Sequence, residues 1–543
     1  MELACGIRFE ACQSLPFGGV LCMVPFLLAN GLLSYASYYS ERTKGYYDFD
    51  TIIIMISFMY LCRIKSPEQL KHQSPGEFGK LLGLDRVPEA KCLRSIFREL
   101  TDQKKSAEWN AYLAEEWING DEPAIYYIDG HVQVYHGYLA TLGKKHVSRQ
   151  RLCLPGIMEF WVNNNDGLPY FFITGQVNEK LQQIIEEQII PSLNEFLHIH
   201  ETPQVIDPMM PNYTIVFDRE AYSPEFFQSI WNKHRVAVIT YRKNVKDLWE
   251  EADFEELPVE TELGMATMSL REKTVELNGV QLREVRKRSS EGHQTSVITT
   301  NHILSTILIA MYMFSRWAQE NFFRYMRHEY DLDRIIQYGV DELDSSLMVV
   351  NPEYNNINHR LKKLREKIAR RKASLFVLKE ENTNTGLEQT KKYIAAQLKI
   401  SEELQILRNQ EQALIENRKL QPYKITVGQM PETIRYNKLK TESKHLQNII
   451  KMICYRAETA FANMLAAGYK KKTNEIRALV KSILFSEADI IPDYENKTFS
   501  IKLYGLATPR DNIALQKICQ LLNDTETIFP NTDLKMVFKM ATF

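Results

Sequence analysis

The segment spanning residues 122–137 restricts the fold of this chain more than any other. Residues 124–128 are apolar and aromatic, as in a buried β-strand, and this predicted strand ends on Asp129, which Gly130 follows. A carboxylate at the tip of a buried strand is costly to desolvate unless a cation offsets its charge. Because a divalent metal often supplies that cation, we expect Asp129 to lie at a metal site.

The same pattern occurs a second time, and a third acid follows in a predicted helix. Residues 213–218 form an apolar run ending on Asp218, and Glu320 lies within the helix-like segment RWAQENFFRYMRHE. Three carboxylates from separate elements can hold two Mg²⁺ or Mn²⁺ ions about 3.5–4 Å apart, as phosphoryl-transfer enzymes do. We therefore predict Asp129, Asp218 and Glu320 as catalytic metal ligands. The simpler alternative for each aspartate is a turn or helix cap.

Length and composition restrict the class of protein. A chain of 543 residues is too long for one hydrophobic core, and 44% hydrophobic residues indicate a globular protein. The net charge of −1 provides no overall attraction to nucleic acid, so any DNA binding depends on local basic surfaces. The eight cysteines form no CxxC pair, which indicates reduced thiols in a cytosolic protein.

Two apolar segments raise the question of a membrane span. Residues 16–34 contain Gly18, Gly19, Asn30 and Gly31, and residues 51–62 are shorter still. A transmembrane helix needs about 20 nearly uninterrupted apolar residues. We therefore predict buried helices in an N-terminal bundle and no membrane partner.

The first predicted domain is a helical domain over residues 1–115. Serine and proline precede two short helices near 66 and 74, and a basic helix with Arg94 and Arg98 begins near Pro88. Two short helices joined by a turn, the second one basic, are typical of a helix-turn-helix that binds DNA. The alternative is an ordinary helical bundle with a solvated basic face.

The second predicted domain covers residues 116–345, where strands and helices alternate. This pattern favours an α/β fold, a mixed sheet with flanking helices. Short alternating segments over about 242–300 predict a β-rich insertion.

Two further domains are predicted after residue 345. Residues 346–430 form a coiled-coil hairpin, because apolar residues from Ile357 to Ile368 step by 4, 3 and 4. Its first arm has eight Lys or Arg among residues 360–372, which is either a stripe for the DNA backbone or a solubilising face. Residues 431–543 are predicted to form a small α+β domain.

The predicted helix from Asn301 to about His328 carries a charged stripe. Arg316, Glu320, Arg324 and Arg327 are spaced 4, 4 and 3, so they share one helical face. An acid flanked by arginines suits a metal ligand beside a polyanion, so the three arginines are candidate DNA-binding residues. The alternative is a surface network of i,i+4 ion pairs.

Aromatic and imidazole side chains near the acids are weaker candidates. Trp231 or Trp317 would stack on an unpaired base at a cleaved end. For both tryptophans we favour the alternative, burial in the core. We expect His131 and His136 either to contact the metal ligands or to be structural, and not to be ligands themselves.

Three segments together resemble the catalytic blocks of DDE transposases of bacterial insertion sequences: YYIDGHVQVYHG, TIVFDREAYSPEFF and RWAQENFFRYM. The resemblance covers about residues 50–345. It implies a ribonuclease H-like fold with Asp129, Asp218 and Glu320 as the metal-binding triad. Arg316 and Glu320 keep the spacing of a Tyr-x2-Arg-x3-Glu-x6-Lys signature, whereas Tyr312 is displaced by one residue and Arg327 replaces the lysine.

The resemblance also implies a function and partners. The activity is metal-dependent DNA strand cleavage and strand transfer of an insertion sequence, with two Mg²⁺ or Mn²⁺ ions. The partners are double-stranded DNA, namely terminal inverted repeats and target DNA, and further copies of the chain, as a dimer when bound to DNA. The implied location is the bacterial cytoplasm, at the nucleoid. One alternative is a non-catalytic DNA-binding protein derived from a transposase. Another is a structural coiled-coil scaffold, in which Asp129→Asn would cause no loss of function.

Overall fold

A computed structural model describes the following residues: 6–42, 45–119, 124–138, 140–147, 150–176, 179–199, 207, 209–261, 264–335, 339–342, 345–346, 348–380, 387–432, 435–467 and 473–541. The chain divides into two compact units. The first, here called the core unit, comprises Met1–Tyr135, Gly156–Gln337 and Lys440–Phe543. The second, the hairpin unit, comprises His136–Pro155 and Tyr338–Leu439.

Helices and strands are mixed along the chain, which confirms the predicted α/β class. The strands among the described residues are β1 (Cys12–Leu15), β2 (Ile125–Val134), β3 (Lys144–Val147), β4 (Leu152–Asn163), β5 (Pro169–Gln176), β6 (Tyr213–Phe217), β7 (Val236–Tyr241), β8 (Glu255–Thr261), β9 (Gly264–Leu277), β10 (Val280–Arg288), β11 (Gln294–Thr299), β12 (Val340–Glu342), β13 (Met348–Val350), β14 (Lys424–Thr426), β15 (Asn437–Leu439), β16 (Ala488–Asp493), β17 (Thr498–Leu503) and β18 (Lys535–Met540). The α-helices are α1 (Val24–Ala29), α2 (Phe49–Leu61), α3 (Pro75–Lys80), α4 (Ala90–Thr101), α5 (Ser106–Asn119), α6 (Leu181–Ile184), α7 (Ile190–Phe196), α8 (Pro224–His234), α9 (Thr306–Phe314), α10 (Trp317–Tyr330), α11 (Pro352–Glu380), α12 (Leu387–Leu420), α13 (Glu442–Ala466), α14 (Thr473–Leu484) and α15 (Pro509–Asp524).

A large mixed sheet forms the centre of the core unit, with the strand order β5-β4-β2-β6-β7-β11-β10-β9-β8. Strands β2, β6 and β7 are parallel to one another, and the other neighbouring strands are antiparallel. Strands β8–β11 fill the predicted insertion, and β11 pairs with β7. The insertion therefore extends the central sheet.

Strand β2 differs from its prediction, because it continues through Asp129 to Val134. Its parallel pairing with β6 ends at Ile128 and Phe217, whereas its pairing with β4 continues. The prediction of a strand ending on Asp129 was therefore wrong. Gly130 contributes to this continuity, because a Cβ there would lie 2.7 Å from the Met158 methyl carbon of the adjacent strand.

Both faces of the sheet are buried at β2, where successive residues point to opposite sides. Ile125 and Tyr127 of β2 pack in a cluster that includes Met313 of α9. Tyr126 and Ile128 pack on the other side, in the main core, which also contains residues of α10 and α13. Alternation along β2 thus places helices on both faces of the sheet.

The N-terminal apolar segments are largely buried in the core unit. Residues Gly18–Ser37 are long and apolar enough to cross a membrane by composition alone. They are divided into a 3₁₀ helix (Gly18–Met23), α1 and a second 3₁₀ helix (Ser34–Ser37). Helix α2 is buried along almost its whole length. The predicted burial of both segments is confirmed.

A second sheet joins the two ends of the chain, with the order β1-β16-β17-β18. Its last three strands and α15 form the α+β structure predicted near the C-terminus. Residues 1–115 were predicted to be helical throughout. This prediction was wrong for β1, which pairs with β16. The predicted boundary near 115 falls inside the core unit, and the four-domain division remains a prediction.

The hairpin unit contains α11 and α12 as an antiparallel pair. Leu364 and Ile368 of α11 are buried against Leu404 of α12. Arg365 pairs with Glu411 at 2.6 Å and Arg371 with Glu403 at 2.9 Å, the register of two antiparallel helices. Supercoiling of this pair remains a prediction. The segment TNTG at residues 383–386, which sequence predicts to interrupt the helical run, lies outside the described residues.

Three short strand pairings accompany these helices in the hairpin unit. Strand β12 pairs with β15, and β13 pairs with β14. Strand β3 pairs with residues 152–155 of β4.

Candidate active site

The guanidinium group of Arg316 lies among all three predicted acids. Its Nη1 is 3.8 Å from Asp129 Oδ2, and its Nη2 is 3.6 Å from Asp218 Oδ2. The same Nη2 donates a hydrogen bond to Glu320 Oε1 at 3.1 Å. The structure therefore brings together three acids that are far apart in the sequence.

The two aspartates reach this position through neighbouring parallel strands. Asp129 follows the last residue of β2 that pairs with β6, and Asp218 directly follows β6. The Asp218 carboxylate accepts a hydrogen bond from the Arg219 backbone N–H at 2.7 Å and caps a 3₁₀ turn. Asp218 therefore has the capping role given above as the alternative, and it also lies beside Arg316.

Gln319 fixes the first turn of α10 against the sheet. Its amide donates hydrogen bonds to the Tyr127 carbonyl at 3.2 Å and to Asn163 Oδ1 at 2.9 Å. Because Gln319 is buried while Glu320 is exposed, this anchor directs Glu320 toward Arg316. Gln319 was not among the predicted site residues, although it lies at the start of the helical face that Phe322 and Phe323 continue.

The predicted helix over residues 301–328 is two helices, α9 and α10. Ser315 and Arg316 lie between them, and Arg316 is the N-cap residue of α10. The prediction of one helix with four charged residues on one face was wrong in this respect. The break places Arg316 outside the regular helix, where its side chain points at the acids.

Burial and charge oppose each other at Asp129. Burial raises the pKa of Asp129 to about 6, although Arg316 and the N–H of Gly130 lower it. The neighbouring Asp218 charge adds to the increase. The guanidinium thus only partly compensates the cost of holding a carboxylate in this position.

Basic and aromatic residues follow one another from Arg219, which is adjacent to Asp218 in the chain. The Arg219 guanidinium is 5.5 Å from the Tyr241 ring centre, and Lys287 Nζ is 4.7 Å from that of Phe314. Tyr241 and Phe314 have ring centres 6.4 Å apart. Phe314 and Tyr241 were not among the predicted site residues, because the insertion separates β7 from α9 along the chain.

The two candidate tryptophans differ in exposure. Trp317, in the first turn of α10, is 52% exposed, so the prediction that it is buried was wrong. Trp231 is half-buried, and the Arg235 guanidinium lies 4.5 Å from its ring centre. Trp317 directly follows Arg316 and offers an open aromatic surface next to the acids.

The remaining predicted DNA-binding arginines lie on helix surfaces. Arg324 is exposed on α10, and Arg327 Nε donates to the Phe323 carbonyl at 3.1 Å. Arg94 and Arg98 are exposed on α4, where Arg94 forms an ion pair with Glu68. DNA binding by these arginines remains a prediction.

The two helices predicted before α4 are shorter than expected for a helix-turn-helix. The helix predicted after Ser66 is a 3₁₀ helix, and α3 has six residues. A helix-turn-helix in this segment also remains a prediction.

His131 contacts one residue of α10 and one residue beyond that helix. Its Nε2 lies 2.5 Å from Asp333 Oδ1, and its ring stacks on Phe323 with ring centres 4.9 Å apart. His136 is exposed in the hairpin unit.

The donor set at Arg316 suits a hard divalent cation, although a guanidinium lies between the acids. Among the described residues, no three His, Cys, Asp or Glu side chains lie close enough together to hold a metal ion. Three carboxylates are nevertheless the oxygen ligands that Mg²⁺ and Mn²⁺ prefer. Arg316 Nη1 is buried without a hydrogen-bond acceptor among the described residues. The acids therefore surround a cation that they hold mainly by charge.

Carboxylates from two parallel strands and a helix thus converge on one arginine beside a mixed sheet. The family model described as "Transposase protein" matches residues 7–542 of the chain. The chain therefore belongs to this transposase family. A search of curated proteins finds no match.

Proposed function

We propose that this transposase is a DDE enzyme with a ribonuclease H-like catalytic core, which cleaves DNA at the ends of an insertion sequence and transfers the strands. The convergence of Asp129, Asp218 and Glu320 on Arg316 carries this proposal. The sheet supports it, because antiparallel strands flank β2 on one side and parallel strands on the other.

The three acids would hold two Mg²⁺ or Mn²⁺ ions. When bound, such ions lower the pKa of a water molecule and offset the charge of the phosphodiester under attack. With its pKa of about 6, Asp129 is mostly ionised at neutral pH and thus available as a ligand.

Other residues of the site would bind and orient the DNA. Arg316 can bind a phosphate through two parallel hydrogen bonds, and Arg219 and Lys287 add positive charge nearby. Trp317, which is exposed, can stack on an unpaired base at the cleaved end.

The proposed chemistry has two steps. Water attacks a phosphodiester at the element end, the P–O3′ bond breaks, and a 3′-OH is released. Held in line, that 3′-OH attacks a phosphodiester of target DNA, whose own P–O3′ bond breaks. Each bond formed replaces one broken in the second step, so strand transfer needs neither ATP nor a covalent enzyme intermediate.

The partners follow from this function. They are double-stranded DNA, comprising terminal inverted repeats and target DNA, and a second copy of the chain in a DNA-bound dimer. The location is the bacterial cytoplasm at the nucleoid. Since the net charge is −1, DNA affinity would depend on local basic surfaces such as residues 360–372.

Cleavage of duplexes taken from the DNA flanking the gene tests the proposal. We expect Mg²⁺-dependent nicking by the wild type, and a loss of at least about 100-fold in Asp129→Asn, Asp218→Asn and Glu320→Gln with DNA binding retained. Asp493→Asn is the matched control, because Asp493 closes β16 and bonds Asn496. It should cleave like the wild type.

Two results would contradict the proposal. Full cleavage by any of the three variants would remove that acid from the chemistry. DNA binding without cleavage by the wild type would favour the non-catalytic alternative.

A further inference from the structure

Arg316 is placed as the counter-ion of the acids. Its side chain is only 11% exposed, whereas those of Asp218 and Glu320 are 48% and 63% exposed. The cation therefore lies below two acids that solvent and ligands can reach.

We propose that Arg316 couples DNA binding to metal binding: before DNA arrives it compensates the three acids, and on binding it exchanges them for a DNA phosphate. This inference rests on the proposed function, since it takes the acids as metal ligands and DNA as the substrate. It adds a reason for metal to bind strongly only when DNA is present.

The contacts of Arg316 favour such an exchange. Of its three acidic neighbours, Glu320 alone is within hydrogen-bond distance. The distances from the guanidinium to the Asp129 and Asp218 carboxylates are longer, 3.8 and 3.6 Å. Its Nη1 is buried without an acceptor in the described part of the chain. A phosphate offers the planar guanidinium two parallel, charge-assisted hydrogen bonds, which is a better match than these acids.

The start of α10 is not capped by the Arg316 side chain. Arg316 lies between α9 and α10, and its side chain makes no capping hydrogen bond to α10. Gln319 holds the first turn of the helix instead. Withdrawal of the guanidinium would therefore leave α10 in place.

The coupling follows from competition for the same oxygens. A divalent ion and the guanidinium exclude each other at the carboxylates, and a phosphate that removes Arg316 frees them. DNA must then raise the affinity for metal, and metal must raise the affinity for DNA by the same factor. Couplings between linked sites are typically about 5–150-fold.

Equilibrium binding of Mn²⁺, followed by the electron paramagnetic resonance of the free ion, tests this inference without measuring activity. We expect Arg316→Ala to bind Mn²⁺ about tenfold tighter than the wild type in the absence of DNA. Arg271→Ala is the matched control, because it removes an arginine that pairs with an exposed carboxylate outside the site, that of Glu255 at 3.5 Å in the insertion. It should change Mn²⁺ affinity less than about threefold.

A second arm adds a duplex with the element end, with Mn²⁺ bound by the DNA alone subtracted. The wild type should gain Mn²⁺ affinity, and Arg316→Ala should gain none. Arg316→Lys keeps the charge but not the planar fork, so its gain should be smaller than that of the wild type.

The outcomes separate the two proposals. If Asp129→Asn abolishes Mn²⁺ binding but Arg316→Ala binds no tighter than the wild type, the metal site holds and the coupling is wrong. If neither wild type nor Arg316→Ala binds Mn²⁺ at a site that Asp129→Asn removes, the proposed function itself fails.

Discussion

The variant Asp129→Asn tests how burial and charge are balanced at the site, independently of catalysis. Burial raises the pKa of Asp129 from its ordinary value of 3.8 to about 6. That difference corresponds to about 3 kcal/mol, and partial exposure of the side chain makes this an upper limit. An uncharged asparagine avoids this cost.

The sign follows from proton binding. Between pH 4 and 6 the folded chain binds more protons at Asp129 than the unfolded chain does, so stability falls as the pH rises through this window. Asp129→Asn should therefore be more stable than the wild type at pH 7.5, by up to about 3 kcal/mol. At pH 4 the advantage should shrink below about 1 kcal/mol.

Urea denaturation in the presence of a chelator, at pH 7.5 and pH 4, measures this difference. Asp493→Asn is a control of opposite sign, because hydrogen bonds from Asn496 lower the pKa of Asp493. That substitution should reduce stability at pH 7.5. A wild type as stable as Asp129→Asn at pH 7.5, or a difference that does not depend on pH, would refute the reasoning.

Two further substitutions test the supports of α10. Gln319→Leu removes the buried hydrogen bond to the Tyr127 carbonyl and should lower the free energy of unfolding by about 1–3 kcal/mol in urea denaturation. DNA cleavage should also be weaker, and unchanged cleavage would exclude Gln319 as an anchor. Glu458→Leu removes the buried acceptor of the Tyr325 and Tyr330 hydroxyls of α10, while Glu329 still pairs with Arg63, and should cost about 1–3 kcal/mol. Lys497→Ala, at an exposed ion pair, should cost less than about 1 kcal/mol, and equal costs would contradict this assignment.

Local sequence patterns predicted the parts of the fold that depend on near neighbours. Apolar runs indicated β2 and β6, and the serine and proline before α3 marked its start, where Ser74 accepts a hydrogen bond from the Glu77 N–H. The same patterns identified the three acids. Their meeting at Arg316 depends on strand order, which the resemblance implied and local periodicity alone does not contain.

The errors arise where distant residues decide the structure. Strand β2 continues past Asp129 because β4 pairs with it, and the break before α10 accompanies the anchoring of Gln319 on β2 and β4. Strand β1 forms on a partner near the C-terminus. Each feature requires a contact between segments far apart in the sequence, which a reading of local windows misses.

The position of bound Mn²⁺ tests the central claim most directly. Crystals of the chain with element-end DNA and Mn²⁺ would reveal the ion by its anomalous scattering. The account predicts Mn²⁺ within about 2.0–2.6 Å of carboxylate oxygens of Asp129, Asp218 and Glu320. Anomalous peaks elsewhere, with these three acids uncoordinated beside bound DNA, would contradict it.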